Sequence, residues 1–145
     1  MAKKPRMKWH GKEAVKIAEQ AGLKALRTGA EAILTEAIDD TPVDTGTLRR
    51  SGTTTVGKLP DSARVYEAAK AGADMAKAFP GEIGKEKAVY ISFSTPYARR
   101  QHEELGYNHP RGGGPKYLET PFNCNKNKVL KYVDKQIKKA LRETE

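Results

Sequence analysis

The chain has 145 residues, the length of one domain, which excludes two independent hydrophobic cores. Only 37% of its residues are hydrophobic and 31% are charged, so the core is expected to be thin and suited to completion by neighbouring subunits. The net charge of +9 predicts attraction to nucleic acid or to acidic protein surfaces. A single cysteine, Cys124, excludes an intramolecular disulfide and fits a reducing compartment, and no segment is predicted to cross a membrane.

The N-terminal part of the chain divides into a basic arm and a long helix. Residues 1–11 carry four basic side chains with few apolar ones, so they are predicted to form a flexible basic arm. From Lys12 to Ile38, apolar residues recur at spacings of three and four, which predicts a helix about 40 Å long. Gly22 and Gly29 are expected to weaken this helix locally. Pro42 is expected to end it, because proline disfavours helical geometry at the preceding residue.

Two strands are predicted in the middle of the chain, with a long insertion between them. Leu48 to Val56 is rich in threonine, and Ala88 to Thr95 alternates apolar and polar residues with the period of two typical of a half-buried strand. The two segments are suited to antiparallel pairing. Residues 57–87 are too many for a tight hairpin, so they are predicted to form a projecting insertion with a short helix that Ser62 caps.

The C-terminal third is predicted to end in a basic amphipathic helix. One or two helical turns are expected between Pro96 and Leu105, followed by a loop with three glycines at positions 112–114. Thr120 and Pro121 are typical of a helix start, as an N-cap hydroxyl and a proline at the first helical position. The last helix, predicted to run to Arg142, has one apolar stripe. Its other faces hold the basic residues Lys126, Lys128, Lys131, Lys135, Lys138, Lys139 and Arg142.

The tripeptide Asp44-Thr45-Gly46 raises two alternatives, because dimeric aspartic proteases place the same residues at their catalytic turn. Such an enzyme needs its aspartate at the end of a buried apolar strand, sharing one proton with a second carboxylate. Here the aspartate follows a helix and a proline, and two nearby arginines would hold a carboxylate ionised. We therefore interpret the segment as a structural turn. Asp44 would accept backbone N–H groups, Gly46 would supply an unusual dihedral angle, and Leu48 would begin the strand in the core.

Other side chains were tested as metal, cofactor or phosphate sites. His102, Glu103, His109 and Cys124 are the metal candidates, but the helical His-Glu pair lacks the second histidine that a zinc protease places four residues on. The glycine run is not followed by the Lys-Ser/Thr pair of a P-loop, and a flexible loop is favoured over a backbone nest for phosphate. We expect no catalytic residue, no metal and no cofactor, and a free thiol at Cys124.

A two-part pattern extends over residues 30–141. Its early part consists of Pro42, Asp44, Thr45, Gly46, Leu48, Arg49 and Ser51. Its late part consists of Tyr97, Ala98, His102, Glu103, Gly106, Tyr117 and Leu118. With this pattern the chain resembles the neck and tail-completion proteins of long-tailed bacteriophages, also described as minor capsid or head-to-tail connector proteins. The basic arm and the 57–87 insertion depart from the pattern, so no role is carried over to them.

The resemblance implies a fold and a role. The fold would be α+β, with a long N-terminal helix and a C-terminal amphipathic helix packed on a small antiparallel sheet, in one domain of residues 12–145. The protein would be a structural virion component assembled in the host cytoplasm, a ring of sixfold or twelvefold symmetry in the neck through which the genome passes. Its partners would be the portal or adaptor, head-completion and tail-terminator proteins, with nonspecific contact to genomic DNA.

Five arginines are the predicted interface residues, because a guanidinium group pairs with a carboxylate through two hydrogen bonds. They are Arg49, Arg50, Arg99, Arg100 and Arg111. The alternative function is nonspecific nucleic-acid binding through the basic arm and the lysine-rich last helix. Only Tyr132 places an aromatic side chain among those lysines, and no recognition motif accompanies it, so sequence-specific DNA binding is not expected.

Overall fold

The computed structural model describes residues 11–43, 45–78, 83–107, 109 and 112–143. Within these residues the elements follow the order α1 (Gly11–Asp40), α2 (Thr47–Arg50), β1 (Gly52–Val56), α3 (Ser62–Lys70), α4 (Met75–Ala78), β2 (Val89–Phe93), α5 (Ala98–Glu103) and α6 (Glu119–Arg142). The predicted α+β class, with long helices at both ends and a small antiparallel sheet, is confirmed. The predicted arm lies outside the described residues except for Gly11, which begins α1.

Helix α1 is the longest element, with 30 residues. It ends just before Pro42, as predicted from the geometry that proline imposes on its predecessor. The hydroxyl of Thr41 is buried and donates a hydrogen bond to the carbonyl of Ala37 at 2.6 Å. This bond satisfies one of the carbonyls that every helix leaves without an intrahelical partner at its C-terminal end.

Helices α1 and α6 pack side by side and run antiparallel. Near the end of α1, Glu36 accepts a hydrogen bond from the side chain of Asn125 at 2.9 Å. In the first half of α1, Gly22 lies against Ile137, close to the end of α6. An early residue of one helix therefore faces a late residue of the other.

The glycines of α1 are points of close approach between the two long helices. A Cβ atom added at Gly29 would lie 2.5 Å from Cγ1 of Val129, whereas one added at Gly22 would lie 3.2 Å from the side chain of Ile137. Both glycines are buried. The expectation that they weaken α1 follows from intrinsic propensity, but the missing side chains also let α6 approach more closely than a larger residue would permit.

The sheet consists of β1 and β2, paired antiparallel as predicted. The register places Gly52 opposite Phe93 and Val56 opposite Val89. A Cβ atom at Gly52 would lie 2.9 Å from Leu34, so the sheet packs directly on the second half of α1. The central residues of β1 are threonines that are buried rather than exposed.

The prediction that the first strand begins at Leu48 is wrong, because residues 47–50 form the short helix α2. The amide of Arg50 donates to the carbonyl of Gly46 at 3.0 Å, and that of Ser51 donates to Thr47 at 3.0 Å. These bonds join residues four positions apart, as in an α-helix. The segment is therefore helical although threonine favours strands. Leu48 does enter the core, but it does so from a helix.

The insertion contains two helices, α3 and α4, with a small core of their own. Val65 and Ala69 of α3 are fully buried and cluster with Met75 of α4. The predicted cap at Ser62 is wrong by one residue, because the carboxylate of Asp61 accepts the hydrogen bond from the amide of Arg64 at 3.3 Å. Asp61 keeps the extended backbone that an N-cap requires, whereas Ser62 is already helical.

Helix α6 begins two residues earlier than predicted, at Glu119. Thr120 is therefore not the N-cap: its amide donates to the carbonyl of Lys116 at 3.1 Å within the preceding turn. Pro121 still occupies the first turn of the helix, where its missing N–H leaves no intrahelical bond unmade. The predicted short helix between residues 96 and 105 is present as α5.

The glycine loop before α6 is anchored to the end of α1. The amide of Gly114 donates to the carbonyl of Asp40 at 3.0 Å. Gly113 has a φ of 78°, and a Cβ atom there would lie 2.4 Å from the carbonyl oxygen of Thr41. The glycines are thus required for close backbone contact, which the composition of the loop alone did not indicate.

Candidate interaction surfaces

The turn after α1 is built from threonine hydroxyls and one left-handed residue. The hydroxyl of Thr45 accepts a hydrogen bond from the amide of Thr47 at 3.4 Å and pairs with the Thr47 hydroxyl at 2.9 Å. Gly46 has a φ of 84°, in the region that residues with a Cβ atom resist. Asp44 lies outside the described residues, so its predicted bonds to backbone amides stay a prediction.

Arg49 ties the turn back to the end of α1. Its Nε donates to the carbonyl of Thr41 at 2.9 Å, and its Nη2 donates to the carbonyl of Asp39 at 3.1 Å. Both acceptors lie at the C-terminal end of a helix, where carbonyls lack intrahelical partners and the helix dipole favours a cation. This guanidinium group therefore stabilises the exit from α1 within one subunit.

Arg50 joins the turn to the insertion. Its Nε donates to the carbonyl of Ala69, near the end of α3, at 2.9 Å, and its Nη1 donates to the carbonyl of Thr45 at 3.3 Å. Arg49 and Arg50 thus direct several of their donors at carbonyls of their own chain. Their predicted role in contacts between subunits stays a prediction.

The remaining predicted interface residues lie elsewhere. Arg99 and Arg100 are exposed on α5, and their guanidinium groups bond to none of the described residues. Arg111 lies outside the described residues. The structure therefore separates the predicted set into an inward-directed pair on α2 and a solvent-facing pair on α5, which is the pair free to reach another molecule.

Tyr117 and His102 join α5 to the start of α6. Tyr117 is only 2% exposed, and its hydroxyl donates to the carbonyl of Ala98 at 2.7 Å. Its ring meets those of Phe93 and His102 edge to face, with centroids 5.1 and 5.0 Å apart. Burial raises the pKa of the Tyr117 hydroxyl. Leu48 and Ala98 complete this cluster, which is the main apolar core next to the sheet.

The ring of His102 is held at both nitrogens. Nδ1 lies 2.7 Å from Oε1 of Glu103, and Nε2 accepts a hydrogen bond from the amide of Glu119 at 3.2 Å. This geometry requires the proton of the neutral ring to be on Nδ1. The backbone takes part as well, since the amide of Lys116 donates to the carbonyl of His102 at 2.8 Å. His102 therefore serves as a structural link to the first turn of α6.

Glu103 and Lys116 form an ion pair beside this link, with Nζ and Oε2 2.5 Å apart. The hydrogen bond from Lys116 and then that from His102 lower the pKa of Glu103 below its ordinary value of 4.5. In turn, the bond to Glu103 raises the pKa of Lys116 above 10.5. The carboxylate stabilises the fold above about pH 4.5, and this contribution is lost as the pH falls through its lowered pKa. The contribution of Lys116 is present below pH 10.5 and is lost as the pH rises through its raised pKa.

We expect Glu103→Gln to lower stability modestly at neutral pH and not at all at strongly acidic pH. The side chains of this pair are 52% and 32% exposed, so solvent screens much of their attraction. Urea unfolding of wild type and variant from pH 2 to pH 8 measures the effect. If the difference in free energy of unfolding between wild type and variant stays constant down to pH 2, the ionised Glu103 is not the cause of the loss, and the assignment is contradicted. Glu104→Gln, one residue away and exposed, is the matched control.

The basic residues of α6 form a solvent-exposed face. Lys126, Lys128, Lys131, Lys135, Lys138, Lys139 and Arg142 are all exposed. One of them pairs within the helix, since Nζ of Lys138 lies 2.9 Å from a carboxylate oxygen of Asp134. The face is therefore available to an anionic partner, protein or nucleic acid.

The described residues hold neither a metal-binding cluster nor a membrane-spanning helix. In that part of the chain, no group of three or more His, Cys, Asp or Glu side chains is placed to hold a metal ion. None of the described helices is long and apolar enough to cross a membrane. The sequence placed His102 and Glu103 among the metal candidates and in the two-part pattern, but it did not indicate the contact between the rings of His102 and Tyr117. The aromatic-leucine pair before α6 was the one indication of a packed residue there.

Comparison with known proteins gives a match for the first half of the chain. Residues 4–75 match the HK97-gp10-like family model, described as "Bacteriophage HK97-gp10, putative tail-component". The predicted resemblance to phage neck and tail-completion proteins is confirmed, and the match supports a structural role in a phage particle. Searches of curated proteins and of solved structures found no significant match.

Proposed function

Because residues 4–75 carry the pattern of a phage tail-component family, we propose that this chain is a subunit of the phage neck. In this proposal copies form a closed ring of sixfold or twelvefold symmetry between the portal or adaptor and head-completion proteins on one side and the tail-terminator protein on the other. The genome passes through the ring. The chain performs no catalysis and contributes geometry and contacts.

The observation that carries the oligomeric part of the proposal is the incomplete burial of α6. Of the residues in this helix, Pro121 alone is buried. Phe122 is 46% exposed, Leu130 59% and Tyr132 40%. A helix that leaves such side chains in water on a soluble subunit is typical of one that meets further protein in an assembly. The thin core predicted from the composition likewise favours burial of apolar surface against neighbouring subunits.

The surface pair Arg99 and Arg100 supports docking to other neck proteins. Their guanidinium groups project from α5 and are suited to bidentate pairing with carboxylates. The basic face of α6 adds a second surface for acidic protein. Arg49 holds α2 to the end of α1, and Arg50 holds it to α3 of the insertion.

Native mass spectrometry and sedimentation velocity of the full chain test the proposal. We expect one closed species of fixed copy number at neutral pH, which persists on dilution through the micromolar range. A protein that stays monomeric at every concentration would contradict the ring. Addition of purified portal or tail-terminator protein is expected to give a larger defined complex.

The exposed lysines of α6 favour nonspecific nucleic-acid binding as the second candidate function. Binding of duplex DNA measured against salt concentration separates the two, because each phosphate contact adds about 0.9 to the slope of log affinity against log salt. Tight, steeply salt-dependent binding by monomers would favour this alternative. The neck proposal predicts only weak binding, with assembly unaffected by DNA.

The aspartic protease alternative has a direct test at Asp44. Nη1 of Arg50 donates to the carbonyl of Thr45, the residue that follows Asp44 in the chain, and a cation there opposes the shared proton that the enzyme needs. We expect the wild-type chain to show no peptidase activity, and Asp44→Asn to show none either. A measured activity that this variant abolishes would restore the protease.

A further inference from the structure

The two ends of the insertion, where it leaves and rejoins the sheet, carry exposed aliphatic side chains. Ile83 is 76% exposed and Leu59 is 62% exposed, more than most large apolar residues of the described chain. Both flank a point where two backbone segments touch: a Cβ atom at Gly57 would lie 2.2 Å from the carbonyl oxygen of Gly84. Isoleucine and leucine exposed to water at this crossing lose the burial energy that such side chains normally contribute.

The crossing is an extension of the sheet and not a loose loop. The amide of Gly84 donates to the carbonyl of Val56 at 2.9 Å, and that of Gly57 donates to Ala88 at 2.8 Å. The amide of Glu86 donates to Gly57 at 3.1 Å. These bonds continue the ladder of β1 and β2 beyond its last pair, so Leu59 and Ile83 are presented at a fixed place relative to the sheet. We call these two side chains the tip.

An apolar groove lies between β2 and α6. Its volume is about 370 Å³. Its walls are formed by Val89, Tyr90, Ile91, His102, Leu118, Glu119 and Phe122. Phe122 at one side is 46% exposed, which is high for a phenylalanine that already has apolar neighbours. The groove has room for two aliphatic side chains, and its open side faces solvent.

The tip does not fill the groove of its own chain. Neither Leu59 nor Ile83 lines the groove, and both are largely exposed. Ile83 lies six positions before Val89, which lines the groove, so tip and groove are at most about 20 Å apart. An exposed apolar patch and a separate apolar groove on one molecule are the two surfaces that a head-to-tail contact between copies needs, and such contacts close into a ring when the rotation permits.

Charge favours the same pairing. Lys85 is exposed beside the tip, and the carboxylate of Glu119 stands at the groove with a side chain 52% exposed. Glu119 already lies 3.5 Å from Lys116, and a second lysine would place it between two cations. An incoming tip therefore brings a positive group to the acidic side of the groove.

We propose that Leu59 and Ile83 of one copy occupy the groove between β2 and α6 of the next copy. This contact rests on the proposed ring and names the surfaces that close it. Each copy gives a tip to one neighbour and receives a tip from the other. Phe122 becomes buried against the incoming aliphatic side chains.

Disulfide cross-linking between single-cysteine variants tests the contact. In a Cys124→Ser background, Ile83→Cys and Phe122→Cys are prepared separately and then mixed and oxidised. We expect the mixture to form a dimer at least about tenfold faster than either variant alone, because the contact raises the local thiol concentration. A chain that carries both substitutions is expected to give a ladder that stops at the copy number of the ring.

Leu130→Cys is the matched control, since it lies on the same helix and is exposed but does not line the groove. The proposed contact is overturned if Ile83→Cys cross-links as fast to Leu130→Cys as to Phe122→Cys, or to neither, while the wild-type chain forms a ring. A wild-type chain that is monomeric in sedimentation overturns the ring itself. The two failures are therefore distinguishable.

Discussion

Tyr117→Ala is expected to destabilise the chain by about 3–5 kcal/mol, the usual cost of removing a buried aromatic ring. Tyr117 is nearly inaccessible to solvent and contacts Phe93 and His102 through its ring. It is the largest side chain in the cluster that joins the sheet, α5 and the first turn of α6. Because a domain of this size is stable by only about 5–15 kcal/mol, a substantial unfolded fraction is expected at 37 °C.

Tyr117→Phe separates the ring from its hydroxyl. This variant keeps the packing but leaves the carbonyl of Ala98 without its donor, which is expected to cost about 1–2 kcal/mol. Urea unfolding followed by circular dichroism measures both variants. Equal losses for the two variants, or a loss below 1 kcal/mol for alanine, would show that this cluster does not hold the fold together.

The second large effect is expected at Gly29, where alanine should destabilise the chain although it favours the helix. The added Cβ would lie 2.5 Å from one methyl carbon of Val129 and 2.9 Å from the other. Valine is stiff at χ1, so the helices must move apart. Overpacking of this kind costs about 1–3 kcal/mol, and the gain of about 1 kcal/mol in helix propensity offsets part of it.

Gly22→Ala, about two helical turns earlier on α1, is the matched control. There the atom nearest to the added Cβ is the terminal methyl of Ile137, at 3.2 Å, a contact that a small rotation of this flexible side chain can relieve. The propensity gain is expected to prevail, so this variant should be neutral or slightly more stable. Thermal unfolding measures the stability of both variants against that of the wild-type chain. Gly29→Ala as stable as Gly22→Ala would contradict the close packing of α1 and α6.

The double variant Gly29→Ala with Val129→Ala gives a further check on this interface. Shortening Val129 removes the atoms that the new Cβ would strike, so the loss caused by Gly29→Ala should be smaller in this background. Additive losses would place the effect elsewhere than in the contact between the two helices.

The long elements could be predicted from the sequence because their patterns are strongly periodic. Helix α1 and strand β2 lie close to their predicted bounds, and Pro42 marks the helix end. The start of β1 could not be predicted, because threonine favours strands while the left-handed geometry of Gly46 begins a helical turn. The close approach at Gly29 depends on a residue a hundred positions away, which no local pattern reports.

The partners of the candidate surface residues could not be predicted from the sequence, because side-chain contacts are set by tertiary structure. Nothing near Arg49 and Arg50 in the sequence shows that their acceptors are the carbonyls of Thr41 and Ala69. The groove beside Phe122 likewise joins residues of β2, α5 and α6 that are far apart in the chain. The exposure of Arg99 and Arg100, by contrast, agrees with their place in a polar segment.

Localisation in purified phage particles tests the central claim most directly. An antibody raised against the full chain, coupled to gold and viewed by electron microscopy, reports where the protein resides. We predict label at the junction between head and tail in intact virions. No label is expected at any other position, either on intact virions or on heads that lack tails. Label at the distal end of the tail, or protein found only in the unassembled fraction, would contradict a structural role in the neck.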